Sequence, residues 1–92
     1  MPTTFEILAG IIAESCHVPL ETITLDSDLL REIGIDSLDL LDAMFAIDEA
    51  FGVRVPIEQW LHAVHMKAPS AEHHFVMREL CARIDRMVLA AA

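Results

Sequence analysis

Positive charge is what this chain has least of. Six Lys and Arg stand against fifteen Asp and Glu, for a net charge of −9, and none of the six falls between Arg31 and Arg54. The shortage is concentrated: residues 1–58 set twelve acids against those two arginines, a balance of −10, whereas residues 59–92 carry +1. Such a surface repels nucleic acid and attracts basic protein surfaces. Cysteine is sparse too. Cys16 and Cys81 stand far apart with no metal-like spacing, as expected of reduced thiols in a cytoplasmic protein. No apolar run approaches the roughly 18 residues of a membrane span. The run from Ile7 to Ala13 is stopped by Glu14, so no stable membrane insertion is expected. Met1-Pro2-Thr3 lacks the basic start of a secretory signal. Repeats, linkers and low-complexity stretches are absent apart from a short alanine tail.

Apolar residues, by contrast, are plentiful. They make up 54% of the 92 residues, with a mean hydropathy of +0.46. A chain of this length forms one domain with a modest core. The excess must go into a helical core, a partner face or an internal ligand.

The most informative stretch runs from Gly34 to Gly52, two glycines bracketing a run with no proline and no internal glycine. Asp36 stands where an N-cap belongs, and Ser37 follows as the first helical residue at the positive end of the helix dipole, a favourable place for a phosphate. At about 100° per residue, Leu40, Ala43, Met44, Ile47 and Phe51 share one face, an ordinary core stripe. The opposite face carries Leu38, Leu41 and Phe45 interleaved with Asp39, Asp42, Asp48 and Glu49. Large apolar side chains inside an acidic ring read as a docking surface for a basic partner. The alternative is a helix buried on two sides, with its acids at the edges.

Three more helices are expected. Thr3 to Glu6 fits a capping box, opening a helix over about 4–15 in which Phe5, Leu8, Ile11 and Ile12 recur at helical spacing. Gly10 within it suggests close packing. Val18-Pro19 closes it. From His17 to Asp36 no period is sustained, so a long first loop is expected, with Ile23, Leu25, Leu29, Leu30, Ile33 and Ile35 packing across the bundle and one short helical turn at 28–32. Asp26 and Asp28 do not make a calcium loop, because Leu30 and Arg31 occupy positions that need an oxygen ligand and a glycine. Pro56 suits the start of a third helix, 57–66. Ser70 caps a fourth, 71–89, with Val76, Leu80, Ile84 and Val88 on one face, and Arg83 and Arg86 late enough to suit the dipole. His62, His65, His73 and His74 lack the convergent fourth ligand of a zinc site, so no metal is expected. Ser37 lacks the glycine-flanked elbow of a hydrolase nucleophile.

Gly34-Ile35-Asp36-Ser37-Leu38-Asp39, the acidic helix ending Glu49-Ala50-Phe51-Gly52, and Val53-Arg54-Val55-Pro56 together resemble the acyl carrier proteins. The resemblance implies an all-α four-helix bundle that is not itself an enzyme. It also implies a 4′-phosphopantetheine arm on Ser37, added by a phosphopantetheinyl transferase in a magnesium-dependent step that Asp36 assists. Leu38, Asp39, Leu41, Asp42, Phe45, Asp48 and Glu49 would then meet fatty acid synthase enzymes and an acyltransferase, with the carrier a monomer. Ala43, Met44, Ala46, Ile47, Trp60, Phe75 and Leu80 would line the acyl-chain pocket. The pattern from Pro56 through Trp60 to Phe75–Asp85 is similar to the specialised carriers of rhizobia-like bacteria that build very-long-chain hydroxy fatty acids for lipid A. On that reading the segment from Trp60 to Phe75 is a movable wall for a long cargo. A nodulation- or polyketide-type carrier is the neighbouring reading, and an acidic helical adaptor without a prosthetic group the different one.

Overall fold

Thr3 and Glu6 close a reciprocal cap on the first helix, α1 (Thr4–Cys16). The Glu6 amide donates to Thr3 Oγ1 at 3.1 Å, and the Thr3 amide to Glu6 Oε1 at 3.3 Å. Three more helices follow in the computed structural model, which describes residues 3–67 and 74–91: α2 (Ser37–Phe51), α3 (Ile57–His65) and α4 (Met77–Ala91). Among the described residues there is no β-strand, only an isolated bridge between Asp28 and Val76. The fold is the expected all-α four-helix arrangement with a long first loop.

One core unites the helices. Leu8, Ala9 and Ile12 of α1, Leu40, Ala43, Met44 and Ile47 of α2, and Met77, Leu80 and Ile84 of α4 are at most 1% exposed. The four-residue recurrence on each helix places one stripe inward. Gly10 points the other way. A Cβ there would meet nothing within 4 Å, so close packing is not its reason.

The first loop is held by its own bonds. Pro19 leads into a short 3-10 turn, Leu20–Thr22, that the sequence did not announce. Ile23, Leu29 and Ile35 are buried and pin the loop to the core, whereas Leu25 remains exposed. Ser27, 1% exposed, accepts the Thr24 amide at 2.9 Å. At 28–32 the chain makes a turn rather than a helix: Asp28 Oδ1 accepts the Leu30 and Arg31 amides, each at 3.0 Å.

That loop also decides where α4 begins. The expected start at Ser70-Ala71 lies outside the described residues, but residues 74–76 are turn and bridge, and the helix opens only at Met77. The reason is backbone pairing. The Leu29 amide donates to the Phe75 carbonyl at 2.9 Å, and the Met77 and Arg78 amides donate to the Ser27 and Leu25 carbonyls at 2.9 and 2.8 Å. The first amides of a helix need acceptors from outside it, and here the loop supplies them. Met77 thereby takes the core position expected for Val76, and Val88 drifts to the surface at 37% exposure. Because α4 runs on to Ala91, Arg83 and Arg86 are not in its last turn.

Candidate functional site at the start of the second helix

Asp36 is the N-cap of α2. Its Oδ1 accepts the Leu38 amide at 3.0 Å, and its carbonyl accepts the Leu40 amide at 2.9 Å, closing the first turn. Ser37 is therefore the first residue with helical backbone, half-buried, between the exposed Asp36 and Leu38. The Ser37 and Asp39 amides of this turn have no acceptor within the helix, and the dipole adds positive potential. A phosphodiester on the Ser37 hydroxyl would lie in that field, between the exposed Asp36 and Leu38. The site thus fits a phosphate-borne prosthetic group in both charge and access.

Cys16, at the end of α1, borders the site. Its thiol donates to the Asp39 carbonyl at 3.6 Å. Burial first, then the Asp39 and Asp42 carboxylates, push its pKa up, so it stays a thiol beside the acidic face.

The outer face of α2 divides into two groups. Leu38 and Phe45 are 70% and 59% exposed, and Asp39, Asp42 and Glu49 stand in solvent around them. Leu41 is half-buried against the core and Asp48 is turned inward. Asp48 Oδ1 accepts the Val55 amide at 2.8 Å, and its carbonyl accepts the Gly52 and Val53 amides. Gly52 sits at φ 67°, where an L side chain would be strained. Asp48 and Gly52 together therefore set the turn from α2 towards α3. That role was missed in the sequence, because a carboxylate in the last turn of an acidic helix looks like its neighbours.

The turn creates a groove of about 750 Å³ between the end of α2 and the start of α3. Phe45, Val53, Val55 and Ile57 give it apolar walls, and Asp48, Glu49, Arg54 and Glu58 line it with charge.

Six of the seven residues expected around an acyl chain come together in the core. Ala43, Met44, Ile47 and Leu80 are fully buried, Phe75 and Trp60 are 2% and 8% exposed, and Ala46 is half-buried at the edge. Trp60 is boxed in. The His74 ring lies 5.6 Å from its own, the Phe75 ring 6.4 Å away edge-on, and the Arg83 guanidinium 5.2 Å above it. Glu79 holds Arg83 at 3.3 Å. Arg83 thus covers an aromatic ring, a role that its place in the sequence did not show. Residues 68–73 of the expected wall, His73 included, lie outside the described residues. His62 and His65 are exposed, and among the described residues no three metal-ligating side chains converge.

Residues 6–63 match the phosphopantetheine attachment site family. The chain is 47% identical over 90 residues to the acyl carrier protein AcpXL of Brucella melitensis, covering 98% of this chain and 97% of that one. To AcpXL of Rhizobium etli it is 45% identical over 92 residues, the full length of both. The acyl carrier protein of Helicobacter acinonychis is 34% identical over 55 residues, 60% of this chain and 70% of that one. The similarity thus runs through the whole chain for the carriers of Brucella and Rhizobium and through part of it for that of Helicobacter. With a serine at the start of a capped helix inside the matched region, this chain belongs to the acyl carrier proteins, the family built around covalently attached 4′-phosphopantetheine.

Proposed function

We propose that Ser37 is the attachment residue, and that the chain is a carrier and not a catalyst. One observation carries this: Ser37 is the first helical residue of a capped helix, half-buried between exposed neighbours, at the head of an exposed apolar and acidic face. The arm supplies a terminal thiol on which acyl groups are held as thioesters. The protein's own part is to place that arm and present a docking surface, so that the acyl group is concentrated at whichever active site the face engages.

The cargo we assign is a very-long-chain hydroxy fatty acid destined for lipid A. The pattern from Pro56 to Asp85 and the full-length similarity to proteins named AcpXL support it. Partners are then a phosphopantetheinyl transferase, fatty acid synthase enzymes and an acyltransferase, which meet Leu38, Asp39, Leu41, Asp42, Phe45 and Glu49. Asp48 contributes through the turn it holds. The protein works as a cytoplasmic monomer. No helix among the described residues is long and apolar enough to cross a membrane.

Intact mass after incubation with a phosphopantetheinyl transferase and coenzyme A tests the assignment. Wild type should gain one phosphopantetheine, and Ser37→Ala none. Modification of the alanine variant would place the arm elsewhere, and an unmodified wild type would remove the assignment altogether.

A further inference from the structure

The far end of α2 carries a cation that the fold leaves unpaired. The 15 residues of α2 span ~22 Å at about 1.5 Å per residue, so the turn after Gly52 lies at the other end of the helix from Ser37. Arg54 stands in that turn, its backbone held on both sides by one residue. The Asp48 carbonyl accepts the Val53 amide at 3.1 Å, and Asp48 Oδ1 accepts the Val55 amide at 2.8 Å. Val55 is buried and Arg54 is exposed, so the guanidinium is presented outward from a fixed mount. It makes no ion pair with a described residue, although Asp48, Glu49 and Glu58 line the groove on one side of it.

On its other side Arg54 lines a separate cleft of about 570 Å³, between this turn and the last turns of α4. Gly52, Val53, Met87 and Ala90 complete the lining. Among the described residues the walls are therefore apolar and the one charge is positive. The same stretch of α4 leaves Val88 and Leu89 37% and 75% exposed. An open apolar cleft with a single guanidinium complements a carboxylate carried between apolar side chains. The guanidinium fork matches a carboxylate with two parallel hydrogen bonds, and the walls cover the flanking apolar groups. The outer face of α2 has the opposite complement, so the two surfaces select partners of opposite charge. The carboxylates nearest to Arg54 in the chain line the other groove, and exposed charges farther off are screened beyond about 10 Å at 0.1 M salt.

We infer that the cleft between the Gly52–Arg54 turn and the end of α4 is a second docking site, for a protein partner offering an acidic side chain flanked by apolar ones, and that this partner holds the carrier while the arm stays free. The docking site stands independently of the arm; that the arm stays free rests on the assignment of Ser37. A short segment on an open cleft makes a small, transient contact. Such a contact still raises the local concentration of carrier beside an enzyme that works on the arm. Asp48 is the positioning residue, because its two bonds fix the turn that presents Arg54.

The test follows backbone amide NMR signals of the full chain during titration with three capped peptides, acetyl-Ala-Leu-X-Leu-Ala-amide, in which X is Glu, Gln or Lys. The glutamate peptide should shift Val53, Arg54, Met87 and Ala90 and saturate in the millimolar range. The glutamine peptide should bind about two- to fivefold more weakly, the worth of an exposed ion pair. Arg54→Glu, a change at an exposed position, should lose the glutamate peptide and let the lysine peptide shift the same amides instead. Equal binding of the glutamate and glutamine peptides, shifts elsewhere, or no saturation in the millimolar range overturns the proposal. Stronger shifts of these amides by inorganic phosphate or decanoate would make the cleft a site for a free anion or a lipid, which also overturns it. So would shifts on diluting the protein alone, which would mean that a second copy covers the cleft. Mass gain with a phosphopantetheinyl transferase and coenzyme A reports the arm separately. Saturating glutamate peptide should leave the rate of gain on wild type unchanged, and a slowed gain would overturn the claim that the arm stays free. No gain with or without peptide removes the assignment of Ser37 and leaves the docking site to be decided by the shifts.

Discussion

Asp42, Asp48 and Glu49 read alike in the sequence, yet they do different work. Asp48 answers the buried Val55 amide, so Asp48→Ala strands a donor and should cost about 1–3 kcal/mol. For a domain this size each kcal/mol moves Tm by about 4–8 °C. Glu49→Lys, on an exposed position, should stay within about 0.5 kcal/mol. Thermal melts of the two variants check this, and equal melting temperatures would deny Asp48 its structural part. Cys81 gives a pH prediction. Burial chiefly, with the Asp85 charge adding to it and a backbone hydrogen bond opposing, pushes its thiol to about 11. A thiol with a raised pKa holds its proton more tightly when folded. Its contribution to stability is therefore complete below the ordinary thiol value of about 8.5 and drains away as pH climbs towards about 11. Wild type should lose Tm more steeply than Cys81→Ala between those limits. Parallel curves would show that the thiol does not titrate as its burial demands.

The helices were legible where their signals are local, and illegible where the chain pairs with itself at a distance. Thr3 with Glu6, Asp36 with Ser37, and Gly52 mark ends by bonds within a few residues, so α1 and α2 were read closely. The start of α4 was not. It depends on Ser27 and Leu25 offering carbonyls to Met77 and Arg78, and no periodicity encodes a backbone bond between segments so far apart. Trp60 and Phe75 stand out in the sequence as large apolar residues, but Arg83 over the ring does not, because a cation on a helix reads first as a surface charge. The same latch makes a prediction. Arg78 pairs with Asp26 at 3.1 Å, but both side chains are well exposed, and such pairs are worth about 0–1 kcal/mol. The buried Ser27 hydroxyl, which accepts the Thr24 amide, organises the loop. Ser27→Ala should therefore speed hydrogen exchange at the Met77 and Arg78 amides, whereas Asp26→Asn should leave it nearly unchanged. The opposite ranking would make the ion pair, and not the loop, the anchor of α4.

Across the whole molecule, charge is divided as sharply as apolar surface is, and the two divisions overlap on α2. Exposed Asp39, Asp42 and Glu49 ring Leu38 and Phe45 with no cation until Arg54. A basic partner meeting this face gains attraction over a range set by salt, about 10 Å at 0.1 M ionic strength, and apolar contact at its centre that salt does not screen. The two parts can be separated on the unloaded protein with a phosphopantetheinyl transferase as partner. Asp42→Lys and Glu49→Lys should each weaken binding most at low salt, and their difference from wild type should shrink as salt rises. Phe45→Ala should weaken binding by a nearly constant factor at every salt concentration, because what it loses is buried apolar area. Calorimetric titrations at several ionic strengths, with helicity confirmed for each variant, distinguish the two patterns. If all three variants bind like wild type, the transferase docks elsewhere than on this face.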